Sequence, residues 1–143
     1  MRVSSVVAFA LMIAGLAVLI YRGFIFATEP VAIAVQVAAV LLMLYARITF
    51  GRRSFHAAAN PTEGGLVTSG PYAVLRHPIY AAVLYFTWAA VIDHLSWFSI
   101  AGGALITVGA IARMLLEERM LVVRYPAYRD YMRRTRRVVP YMV

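Results

Sequence analysis

The chain has 143 residues, 63% hydrophobic and 14% charged, with 14 basic residues that are all arginine, six acids, no cysteine and a formal charge of +8. A soluble domain is nearer half apolar and a quarter charged, so the chain reads as one integral membrane domain over 1–143 whose apolar surface no water-soluble core of this size could hide. The lack of cysteine excludes disulfides, thiolate catalysis and cysteine-ligated metals, and no metal site is expected. The arginines flank apolar spans, so topology and anionic lipid headgroups explain them better than nucleic acid does.

Four apolar spans follow in chain order. The first, from about Val3 to Phe26, is longer than the apolar core of a signal peptide and has no clean cleavage site, so it is read as a membrane helix. The second runs from about Val31 to Tyr45, completing an N-terminal pair over 1–50. The region 51–143 then opens on a loop with the turn signals Asn60-Pro61, Gly64-Gly65 and Ser69-Gly70-Pro71. The third span, about Ile79 to Ile92, and the fourth, about Leu95 to Leu116, are separated only by Asp93-His94 and predict a tight helical hairpin. A crossing helix needs roughly 20 apolar residues, so the second and third spans are short unless their interfacial ends count. After Glu118 the tail carries Tyr125, Tyr128 and Tyr131, then two arginine pairs, and reads as a short interfacial helix ended by Pro140.

Four spans place both termini and the loop 46–78 on one side, with every arginine except Arg22. The positive-inside rule makes that side cytoplasmic. The expected fold is all-α: a polytopic membrane helix bundle, multi-pass, with its polar residues gathered on the cytoplasmic face.

Those polar residues admit two readings. Arg76 and His77 are interfacial anchors and Tyr80 an aromatic-belt residue, or all three belong to a site; Pro78 suits the first turn of a helix in both cases. Arg113 and Glu117, four apart, share a helix face and can pair, either as a solvated contact or as a ligand-orienting pair where the span leaves the bilayer. Glu118 lies on another face and is expected to meet water. The tyrosine series reads as an interfacial stripe.

The joint pattern is more specific. Leu66-Val67-Thr68-Ser69-Gly70-Pro71-Tyr72, then Arg76-His77-Pro78-Ile79-Tyr80, a helical hairpin, Glu117-Glu118, Leu121, Tyr128, Tyr131 and a terminal proline resemble the isoprenylcysteine carboxyl methyltransferase family. They also resemble, less closely, the phospholipid N-methyltransferases of the same superfamily. The resemblance covers about Leu66 to Pro140. It implies an S-adenosylmethionine-dependent membrane methyltransferase, releasing S-adenosylhomocysteine, with a cytoplasmic cofactor pocket closed by the C-terminal segment. The implied cofactor contacts fall on Gly64, Gly65, Leu66, Val67, Tyr72, His77, Pro78, Ile79, Tyr80 and Glu117, and the substrate-side arginine on Arg113. His56 and Asn60 stand where the family often places a further polar residue. The implied acceptor is lipophilic and enters from the bilayer, with a carboxylate favoured by Arg113. The alternatives are an amine acceptor, with His77 or Glu117 as base, and a non-catalytic membrane scaffold.

Overall fold

The computed structural model describes residues 2–51 and 66–140. Five α-helices form: α1 (Arg2–Tyr21), α2 (Pro30–Phe50), α3 (Pro78–Asp93), α4 (Trp97–Arg124) and α5 (Tyr128–Arg134), with a 3-10 turn at Gly70–Ala73. Among the described residues there is no strand, only an isolated parallel bridge between Leu75 and Arg136. The helical membrane bundle expected from composition is therefore the fold.

Local chemistry sets the helix ends. Pro30 and Pro78 occupy first-turn positions, where a missing N–H costs nothing. Ser96 and Ser99 form a reciprocal capping box that starts α4 two residues later than the apolar run does. That helix then continues past Leu116 to Arg124, so the tail helix begins later than expected. Chain 22–26, expected inside the first span, lies beyond the end of α1. Among the described residues three helices are long and apolar enough to cross a membrane: α1 from Val3, α2 and α4. The third expected span, α3, has 16 residues. It is about 24 Å long, short of the roughly 30 Å hydrocarbon core.

The packing order is α1–α4–α3–α2, and α1 barely touches α2. Small residues let α1 lie against α4: a Cβ on Gly15 would come within 2.5 Å of the Gly102 carbonyl, and one on Gly109 equally close to that of Ala8. The core joins Leu19, Leu84, Val91, Ile106 and Ala110.

One end of the bundle is stapled by polar contacts. Asp93 accepts hydrogen bonds from the Thr28 N–H (2.8 Å), the Thr28 hydroxyl and the Glu29 N–H, while His94 Nε2 donates to the Phe26 carbonyl at 2.8 Å. Gln36, buried in α2, accepts from Ala27 N–H and donates to the Ile25 and Phe86 carbonyls. The opposite end gathers the start of α1, the end of α2, the start of α3 and the later turns of α4, with α5 beside them.

Candidate functional site

At that second end two linked polar clusters form where α3 meets α4. In the first, Arg113 Nε donates to the Tyr80 hydroxyl at 2.8 Å, and that hydroxyl donates to Glu117 Oε1 at 2.5 Å. Arg113 Nη2 also lies 3.7 Å from Glu117 Oε1, so the expected i,i+4 pair exists but runs mainly through Tyr80. Arg113 is buried, with Nη1 within 3.3 Å of the Ser5 hydroxyl and its guanidinium over the Phe9 ring at 5.3 Å. Glu117 is the open member, its side chain 24% exposed.

The second cluster centres on Glu118. Its carboxylate accepts from Arg76 Nε at 3.0 Å, from His77 Nε2 at 3.2 Å and from Arg137 Nη2 at 3.0 Å. The expectation that Glu118 faces water is overturned: the residue is 4% exposed. The reason is tertiary. A buried carboxylate survives only when paired, and its partners come from the loop before α3 and from the tail, which helix periodicity cannot see. His77 spans the clusters, its Nδ1 lying 3.8 Å from Glu117 Oε2.

The tail is fastened to this end. Arg76 Nη1 donates to the Met132 and Thr135 carbonyls at 2.6 and 3.0 Å. The Arg76 and His77 N–H groups donate to the Arg136 and Arg137 carbonyls, and Arg136 N–H to that of Val74. The Tyr131 hydroxyl donates to the Tyr72 carbonyl at 2.6 Å, and the Tyr85 hydroxyl to that of Val138. Burial pushes the Tyr131 phenol up to about 12 and raises those of Tyr72 and Tyr128 further. The hydrogen bond to Glu118, with its charge, holds the Arg137 guanidinium above its usual range.

The residues singled out from sequence fall as follows. His77, Tyr80, Arg113 and Glu117 come together. Tyr72 is buried in the 3-10 turn, its ring tilted at 39° against Phe50 at 5.4 Å, and it feels the Glu117 charge. The turn sits tightly on α2: Gly70 has φ +56, and a Cβ there would meet Thr49 Oγ1 at 2.8 Å. Pro78 is fully buried at the helix start. Ile79 is half-buried one position, and so about 100°, round α3 from Tyr80. Leu66 and Val67 are half-buried in the stretch leading into the turn. Gly64, Gly65, His56 and Asn60 lie outside the described residues. Sequence reasoning missed Ser5, Phe9 and Arg137. Only the tail's arginine run hinted at the last, and nothing local marked the other two.

Comparison with curated proteins and with solved structures returned no match. The sequence model for the phospholipid methyltransferase family matches residues 31–127, just over two thirds of the chain and enough to include α2, α3, α4 and both glutamates. The chain thus belongs to the phospholipid methyltransferase family of membrane methyltransferases.

Proposed function

We propose that the protein transfers a methyl group from S-adenosylmethionine to the head of a lipophilic acceptor, at the end of the bundle where Tyr80, Glu117, His77 and Arg113 meet. The observation that carries this reading is the half-open Glu117 carboxylate, held by Tyr80 and facing His77 in an otherwise covered cluster. The donor set fits the cofactor. An accessible carboxylate suits its amino group and cationic sulfur, and tyrosine faces favour a sulfonium by about 0.5–2 kcal/mol. Bound there, S-adenosylmethionine supplies an already activated methyl group. The protein's task is then alignment and exclusion of water rather than strong acid–base chemistry. Tyr80 orients Glu117, Arg113 fixes Tyr80, and the tail covers the site from outside.

The acceptor head in this reading is a carboxylate. Among the described residues the two clusters hold three guanidiniums, of Arg76, Arg113 and Arg137, against two carboxylates. That excess draws an anion, and a carboxylate is ionised and nucleophilic at neutral pH. A second reading, an amine head, is favoured by the family match, with His77 or Glu117 taking the proton. Both readings take the site as cytoplasmic, an orientation that the arginine distribution supports.

The test is product analysis with a labelled methyl donor. An ester releases labelled methanol in base, and a methylamine does not. Arg113→Lys should transfer poorly to a carboxylate, since a point charge replaces a planar fork. Base-stable product, or full turnover by Arg113→Lys, favours the amine. No product with either acceptor class, from protein that binds no S-adenosylhomocysteine, overturns the methyl-transfer reading.

A further inference from the structure

Between α1 and α2, which barely touch, runs an apolar groove of about 350 Å³. α1 and α2 are its walls, α3 its floor, and among the described residues Thr87 is the one polar side chain that lines it. It is continuous with the polar cluster along three helices at once. On α1, Phe9 lies under the Arg113 guanidinium and lines the groove, with Met12, Ile13 and Leu16 following at helical spacing. On α3, Tyr80 is followed on the same face by Val83 and Thr87. On α4, Ile106 lies two turns before Arg113 on one face. The groove's described lining carries no charge, and the Arg113 guanidinium caps its Phe9 end.

Its dimensions restrict what can lie there. From Phe9 to Leu19 the lining spans ten helical steps, about 15 Å, which an extended hydrocarbon of roughly a dozen carbons covers. The cavity volume holds one such chain rather than two side by side. In a bilayer an apolar groove does not stand empty, because its lining would forfeit dispersion contacts.

We infer that this groove holds the tail of a single-chain lipophilic acceptor of about a dozen carbons, head against Arg113 and Phe9 at the neck. The inference rests on the proposed methyl transfer for its choice of acceptor as occupant. It assigns α1, which precedes the matched residues 31–127, a direct part in selecting the substrate.

The test is photolabelling of the full chain in phosphatidylcholine vesicles. One probe is a twelve-carbon fatty acid with a diazirine at its tail, and the other is a two-chain phosphatidylethanolamine with the same group. The fatty acid, its diazirine at the end away from Arg113, should label Leu16, Leu19 and Ile25 in preference to Val37 and Leu41, exposed α2 residues outside the groove. Ile13→Trp and Val40→Trp, at exposed positions on the groove rim, should each cut that labelling at least fivefold while leaving S-adenosylhomocysteine affinity unchanged. Labelling spread evenly over the outer faces, equal groove labelling by the two-chain probe, or no loss in either variant overturns the inference. Capture is read without the cofactor. A protein that takes the single-chain probe yet binds no S-adenosylhomocysteine keeps the groove's occupant and loses the methyl-transfer reading.

Discussion

Among single residues the two adjacent glutamates part company. Glu117 is half-open and held by a neutral hydroxyl, whereas Glu118 is covered and held by two arginines and a histidine. Glu117→Ala and His77→Ala should therefore weaken S-adenosylhomocysteine binding about tenfold or more, since a charge-assisted hydrogen bond contributes about 1.5–3 kcal/mol. Titration calorimetry on detergent-extracted protein checks this, and unchanged affinity in both variants counts against the cofactor assignment. Glu118→Ala should instead act on stability, by about 3 kcal/mol, because it removes the carboxylate from the covered Arg76 guanidinium and the buried His77. Denaturant unfolding in detergent measures that, and a loss within 0.5 kcal/mol, which is about what an exposed pair contributes, would show the cluster to be ornamental. The contrast between these neighbours was not legible from spacing. A helix wheel separates positions 117 and 118 by about 100°, but it cannot say that chain from residues 76 and 137 arrives to cover one of them. His77, Tyr80, Arg113 and Glu117 were legible as a set through the family resemblance, since the local features alone, a proline-started helix and an i,i+4 pair, fit interfacial anchors equally well.

For the elements, the tail matters most. The segment around Thr135 to Arg137 runs parallel to 74–77, and Tyr131 and Tyr128 pack beneath it. Both phenols are raised by burial, as is that of Tyr72, so the folded state holds these protons more tightly than the unfolded chain. The resulting stability is fully present below about pH 10, the ordinary tyrosine value. It is lost as pH rises through about 12, where Tyr131 ionises. Tyrosinate absorbance and near-ultraviolet circular dichroism should thus report the tail coming off in alkali over that interval, with the far-ultraviolet helix signal persisting. Simultaneous loss of both signals would mean that the tail has no separate transition. The tyrosine stripe was visible in sequence as an amphipathic pattern. Its role as a fastening was not, because the partners are backbone carbonyls of Tyr72 and Leu75, which carry no sequence signature. The helices themselves were easier, since long apolar runs bounded by proline and polar residues leave few other options; only α3 fell short of the expected crossing length.

For the whole molecule, the arginine asymmetry assigns an orientation. The end carrying both glutamates should face the cytoplasm, and a reporter fused after Val143 should read cytoplasmic while one inserted at Asp93-His94 reads external. The reverse result would move the chemistry to the other side of the membrane. The Asp93-His94 turn also ties elements together. Asp93, His94 and Gln36 pin the loop joining α1 to α2 at the end away from the arginine–glutamate clusters. α1 and α2 are thus joined to each other chiefly by this loop, each being otherwise carried by its own neighbour, α4 or α3. The gap between them at the reacting end is therefore the width of the α4–α3 pair that separates them, closed at the other end by one carboxylate, one imidazole and one amide side chain.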